Sequence, residues 1–281
     1  MLQLGVRGHD VPHDSIESLV KNIKDEGFCC TQLALSKAIK ECNTAPSAMT
    51  SGMAMYLRNI FAKYNVNVSV LGCYLNLANP DKEELKKTIE TYKTHIRFAA
   101  LLGAGVVGTE TGAVNKEYKP CPENHTDAAL NAFIEGLRPV VECAEKFGVC
   151  VGIEPVWKHI MCDPKRTRRV LDEINSPCLR VILDPINMFN AENESHGNDI
   201  VDEMFDICKN EIDVIHLKDY VVRDNEIISR PITLGTGKFD IPHLFSVIKK
   251  EKPFVNVLLE DSIPENVLIS RAYAEKCYEE A

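Results

Sequence analysis

Four short apolar runs in this chain end on side chains that hold protons or metal ions. Residues 149–154 (VCVGIE) close on Glu154, residues 181–184 on Asp184, residues 214–216 on His216 and residues 257–260 on Glu260. Runs this short and rich in β-branched residues read as buried strands. Pro155 ends the first, having no N–H to give a ladder. If the strands lie side by side and parallel, the four side chains converge at one end. Three carboxylates and an imidazole crowded together repel one another unless a cation sits among them. An oxygen-rich set with one imidazole suits Mn²⁺, Mg²⁺ or Co²⁺ better than a thiolate-seeking ion, and Zn²⁺ also accepts it. The competing reading is that each acid only caps its own strand, solvated or ion-paired. Four such endings on successive strands favour a shared site.

The rest of the chain supplies elements to position them. Strands are expected at 2–6, 28–35, 66–74, within 103–110, and then up to Glu154, Asp184, 212–217 and 255–260. Helices are expected between them. One is capped by Asp14 or Ser15, with Ile16, Leu19, Val20 and Ile23 on one face. Others run over about 49–64, from Asp81 to Leu102, and over about 126–147, where Gly148 stops the helix. Asp163 with Pro164 opens the next, to about Ile174. Two more cover about 198–209 and 240–250, and a terminal helix closes the chain. Eight strands alternating with eight helices at about 35 residues per unit is the period of a (β/α)8 TIM barrel, and strict alternation calls for parallel strands. The alternative, a doubly wound open sheet, lacks its usual glycine-rich loop after the first strand. No linker divides residues 1–281, so a single TIM-barrel domain is expected. The C-terminal strand ends of such a barrel carry the active site. Glu110 would end strand four on that face, and His9 follows strand one.

The 281 residues are 45% hydrophobic with a formal net charge of −9 and pI near 5.5. That charge repels nucleic acid and anionic membrane. No apolar run approaches the roughly 20 residues needed to span a bilayer. The first residues enter a strand directly and lack the segments of a signal peptide. The eleven cysteines form no C-x-x-C pair and read as reduced thiols in a cytoplasmic protein.

At these residues the sequence resembles the xylose isomerase-like barrel superfamily, in its sugar-phosphate isomerase and epimerase branch. The matching pieces are Ile153-Glu154-Pro155, Leu183-Asp184-Pro185-x-Asn187, Ile215-His216-Leu217-Lys218-Asp219, Leu234-Gly-Thr-Gly-x-x-Asp240 and Leu259-Glu260. They cover nearly the whole chain in order, and the His-x-Lys-Asp and Leu-Gly-x-Gly-x-x-Asp pieces are the most specific. The resemblance, closest to ketose 3-epimerases, implies a divalent ion, Mn²⁺ foremost, held by Glu154, Asp184, His216 and Glu260. It also implies that the two glutamates serve as the acid/base pair. Many members have Asp-x-x-His where this chain has Asn187. An amide can hydrogen-bond a sugar hydroxyl but cannot take a proton, so substrate identity is where the departure tells.

The implied chemistry is proton transfer next to a carbonyl of a small sugar-like substrate, through an enediolate, giving epimerisation or aldose–ketose isomerisation. His9, Glu110, Asn187, Trp157, His159 and Lys218 are candidate substrate contacts. Against each stands a plainer role: a rim ion pair for Glu110, solvation for His9, lid packing for Trp157. No dedicated phosphate cradle is present. Competing functions are a metal-dependent lyase or dehydratase on the same enediolate chemistry and a non-catalytic sugar-binding barrel. The superfamily's abasic-site endonuclease needs further histidines that strands three and four do not supply. A homo-oligomer is expected, since such barrels often pair through surface helices or mouth loops.

Overall fold

Parallel strands need long crossover connections, and the helices between the apolar runs supply them: the runs pair in parallel. The computed structural model describes residues 2–281. The barrel strands are β1 (Gln3–Arg7), β2 (Cys30–Leu33), β3 (Asn67–Gly72), β4 (Val106–Glu110), β5 (Cys150–Glu154), β6 (Leu179–Leu183), β7 (Ile212–Leu217) and β10 (Asn256–Leu259). All neighbours are parallel. They close in the order β1-β10-β7-β6-β5-β4-β3-β2. The (β/α)8 TIM barrel expected from the alternation is the observed fold.

The outer ring consists of α1 (Ile16–Asp25), α3 (Ser51–Tyr64), α4 (Lys82–Leu102), α5 (Asp127–Phe147), α6 (Pro164–Ile174), α7 (Gly197–Cys208), α8 (Ile241–Glu251) and α9 (Val267–Glu280). Their starts are written in the sequence. The side chains of Ser15, Thr50, Asp81, Thr126, Asp163 and Asp240 each accept a backbone N–H of the first turn, satisfying donors that a helix leaves unpaired. Gly103 and Gly148 end α4 and α5 in the left-handed conformation, which glycine adopts without a Cβ penalty. On α1, Ile16, Leu19, Val20 and Ile23 are the buried face.

Two elements were not expected. Leu35, assigned to the second strand, instead opens a one-turn helix, α2 (Leu35–Ala38). A hairpin, β8 (Val221–Arg223) with β9 (Glu226–Ile228), extends the loop after β7. Its two turn residues, Asp224 and Asn225, both have positive φ, as a tight two-residue hairpin turn requires.

The barrel interior is filled by Cys30, Val70, Val106, Ile182, Val214 and Leu258, one from each strand except β1 and β5. Those two contribute glycines. A Cβ on Gly5 would lie 2.6 Å from Leu258 Cδ2, and one on Gly152 would lie 2.8 Å from Ile182 Cγ1. A row of glycines in register, Gly72, Gly108 and Gly152, leaves room above this floor. Tyr74 uses it: a Cβ on Gly108 would lie 3.2 Å from the Tyr74 hydroxyl.

Candidate metal and active-site centre

Each strand end delivers one side chain to the C-terminal mouth. Glu154 is the last residue of β5, Asp184 follows β6, His216 is the penultimate residue of β7 and Glu260 follows β10. All four are buried, Asp184 and His216 completely. Ligand atoms of Glu154, Asp184 and His216 lie within 4.8 Å of one another. Glu260 joins them through His216, whose Nδ1 is 3.4 Å from Glu260 Oε1 and 3.5 Å from Glu154 Oε1. The convergence expected from the strand endings is present.

The donor set fits a cation. Neither ring nitrogen of the fully buried His216 makes a hydrogen bond. Buried polar atoms without hydrogen bonds cost free energy and are rare. An ion held by Glu154, Asp184, His216 and Glu260 would satisfy these atoms with hard oxygens and one imidazole.

Two protein cations share the cluster. Lys218 Nζ lies 2.7 Å from Asp184 Oδ2 and 3.5 Å from Glu260 Oε2. Burial disfavours its charge, but Asp184 and Glu260 outweigh that and hold it as the ammonium. Arg7 approaches Glu260 Oε1 at 3.5 Å, while its other nitrogens donate to Asp10 (2.8 Å) and Asp261 (2.9 Å). Burial alone would raise the Glu260 carboxyl. His216, Lys218 and Arg7 reverse this and hold it at about 2.

Asn187 ties the cluster together. Its Nδ2 donates to Glu154 Oε1 at 2.6 Å, and its Oδ1 accepts from Lys218 Nζ at 2.8 Å. An imidazole cannot do both in the neutral state with the same geometry, so the departure from Asp-x-x-His has a structural use. Asp184 Oδ1 accepts the backbone N–H groups of Ile186 and Asn187, which turns Asn187 back over the site.

The most specific sequence pieces are joined here. The Asp219 carboxylate accepts backbone N–H groups from Tyr220, Gly235, Gly237 and Phe239 at 2.8–3.1 Å. A Cβ on Gly237 would sit 2.2 Å from Asp219 Oδ1, so only glycine fits. The pairing fixes the chain just beyond His216 and Lys218.

Above the cluster opens a cavity of about 770 Å³. Glu154 and Glu260 line it, with Asp184 and His216 behind them. Of the other candidates, His9, Glu110, Asn187 and Lys218 line it, while Trp157 and His159 do not. Trp157 lies in the loop after β5, its backbone N–H bonded to Asn187 O. The Lys158 ammonium lies 5.8 Å from its ring centre. His159 stands behind Glu110: its Nδ1 is 3.4 Å from Glu110 Oε2, and its ring packs on Tyr118, which donates to the same oxygen. Burial pushes the Glu110 carboxyl up and outweighs the Tyr118 hydrogen bond. Sequence reasoning missed Arg7, Gln32 and Tyr74, all on the cavity wall. Arg7 ends the first strand, so the rule that found the acids would have found it. Gln32 and Tyr74 carry no comparable signal.

Residues 20–272 match the sequence profile described as xylose isomerase-like TIM barrel. The chain belongs to this family. Among solved structures it is similar to a D-tagatose 3-epimerase-like protein, with 18% identity, TM-score 0.77, and 99% of this chain and 97% of that one covered. It is also similar to an L-ribulose 3-epimerase, with 15% identity, TM-score 0.75 and coverage of 100% and 95%. A third is the 3-keto-D-glucoside 4-epimerase YcjR from E. coli, with 13% identity, TM-score 0.75 and coverage of 99% and 100%. At these identities the likeness is one of fold. Among the described residues, no helix is long and apolar enough to cross a membrane.

Proposed function

We propose that this protein is a divalent-metal-dependent epimerase or isomerase of a small sugar or sugar derivative, with Mn²⁺ as the resident ion. The observation that carries the reading is the fully buried His216, with no hydrogen bond at either nitrogen, among three carboxylates beneath an open cavity. Similarity to barrels described as ketose 3-epimerases supports it. A bound divalent ion supplies Lewis-acid stabilisation of the charge that develops on the substrate's carbonyl oxygen.

The chain's residues supply the rest. Glu154 and Glu260 flank the cavity floor from β5 and β10. One, as the carboxylate, takes the proton from the carbon next to the carbonyl; the other, entering the turnover as the carboxylic acid, returns its proton to the opposite face, which inverts that carbon, and exchange with solvent resets the pair. Return to the neighbouring carbon gives the aldose–ketose exchange. Asn187 fixes the Glu154 oxygen through its 2.6 Å hydrogen bond, so that carboxylate does not rotate away from the substrate. Lys218 and Arg7 add positive charge beside Glu260, which favours an enediolate over its neutral precursor.

The test is exchange of the substrate's α-proton with D₂O, followed by NMR on a panel of ketoses with Mn²⁺ present or chelated. Exchange that requires metal and falls at least about 100-fold in both Glu154→Gln and Glu260→Gln supports the assignment. Full exchange in both variants, with metal bound, sinks it. Metal and sugar binding without exchange would make this a sugar-binding barrel, and net loss of water would make it a dehydratase.

A further inference from the structure

The cavity is larger than the chemistry above requires. A ketohexose has about twelve non-hydrogen atoms. Even at the roughly 30 Å³ that each water claims in the liquid, it fills at most about 360 Å³. The cavity holds about 770 Å³. Its surplus runs away from Glu154 and Glu260, across the ends of β2 and β3, to a far wall made by Thr44–Pro46 and the α4 residues Thr91 and His95.

Gln32, Thr91 and His95 each turn an acceptor towards this path, while the Gln32 amide NH₂ and the Ser36 and Thr44 hydroxyls add donors. Gln32 is 3% exposed and lines the cavity, and its Oε1 has no hydrogen-bond partner. The Thr91 hydroxyl spends its proton on Lys87 O at 3.0 Å, so its lone pairs are what it offers. His95 Nδ1 meets Thr91 O at 2.9 Å and must donate there, which leaves Nε2 as an acceptor. Burial lowers the His95 pKa and keeps the ring neutral. Three acceptors, with the amide and hydroxyl donors beside them, suit a ligand whose groups both donate and accept, as sugar hydroxyls do. A phosphate, which offers acceptors at neutral pH, would meet the three acceptors lone pair to lone pair. Lys37 stands only at the exposed rim.

We infer that the natural substrate carries a second, uncharged sugar ring, seated between Gln32 and the Thr91–His95 face of α4 while the reacting unit sits at the Glu154–Glu260 end. This rests on the sugar-epimerase reading and narrows it to a two-ring sugar or glycoside.

Calorimetric titration of the Mn²⁺-loaded protein tests it, comparing D-fructose, fructose 6-phosphate and two-ring ketoses in which a hexose is linked at O4 (lactulose) or O6 (isomaltulose). The expected result is at least about 10-fold tighter binding of one two-ring sugar than of fructose, with the advantage lost in Thr91→Trp and in Ala45→Trp. The second variant lies on an exposed loop, so it reports even if Trp at position 91 disturbs α4. Equal binding of one-ring and two-ring sugars overturns the inference, as does tighter binding of the phosphate. D₂O exchange on the same sugars separates the two claims. Exchange of fructose with no two-ring advantage leaves the epimerase reading and removes this one. A two-ring advantage in binding with no exchange of any sugar leaves the subsite and removes the epimerase.

Discussion

Replacing Lys218 with Met should have opposite consequences with and without metal. In the protein's own charge balance, the buried Lys218 faces Asp184 at 2.7 Å and Glu260 at 3.5 Å. Methionine keeps the length and bulk of the stem but removes the charge, leaving two buried carboxylates short of a partner. Breaking a buried pair from one side costs about 3–5 kcal/mol. At roughly 2.1 cal/mol/K per residue, unfolding 281 residues carries an entropy of about 0.6 kcal/mol/K, so Tm should fall by about 5–8 °C in chelator. A divalent ion among Glu154, Asp184, His216 and Glu260 would replace the lost charge, so the variant should gain more from saturating Mn²⁺ than the wild type does. Thermal unfolding of both proteins, in EDTA and in Mn²⁺, gives the four numbers. The gap should be wide in EDTA and narrow in Mn²⁺. A gap of equal size in both conditions would mean that metal does not enter this cluster. No gap in EDTA would mean that Lys218 is not carrying the carboxylates.

Three further outcomes follow from local geometry. Glu110→Gln should stabilise the protein at pH 8 and lose that advantage towards pH 4. Burial raises the native pKa of this carboxyl, so its contribution is complete below the unfolded value of about 4.3 and is lost as pH rises through the native one. Denaturant titrations across pH would show a constant gap if this is wrong. Asp219→Asn should cost about 2–5 kcal/mol, because an amide NH₂ turned towards either pair of backbone donors leaves both without an acceptor; an unchanged urea midpoint would refute it. Gly152→Ala should cost about 1–3 kcal/mol through overpacking against Ile182 and Val106, and a thermal midpoint within error of wild type would show that the floor can yield.

The barrel was legible because buried parallel strands leave contiguous apolar runs, and because Ser15, Asp81 and Asp163 announce the helices they cap. The cluster was legible for a related reason: in this fold a residue that ends a strand has one place to point. The same logic applied to Gln3–Arg7 would have added Arg7, but attention to acids and histidine passed over a guanidinium. Gln32 and Tyr74 were beyond it. Their part depends on the glycine row opposite and on an absent partner at Gln32 Oε1, and both are facts of packing. The hairpin at 221–228 carried a weak signal in Asp224-Asn225 between Val-Val and Ile-Ile, short of the Asn-Gly that usually marks such a turn. Leu35 misled because an apolar residue after a strand reads as more strand, while here it anchors α2 in the core.

The charges themselves argue that the centre is built for a guest. Glu154, Asp184 and Glu260 place three carboxylates around His216. Lys218 answers one fully, and Arg7 is shared with Asp10 and Asp261. A cluster meant only to hold the barrel together would reach balance with its own side chains, since unpaired buried charge works against folding. Here balance requires either a proton on His216, buried and without a hydrogen bond at either nitrogen, or a cation from outside. Without an ion the first alternative holds: burial disfavours the proton, but Glu260 and Glu154 outweigh it and raise the imidazole to about 9. The second would displace that proton and use the lone pair of the imidazole together with the surrounding carboxylate oxygens. With a divalent ion added, the ion and Lys218 together balance the three carboxylates, and Arg7 remains shared with Asp10 and Asp261. A substrate that becomes an anion partway through its reaction would then meet a cation rather than uncompensated carboxylates.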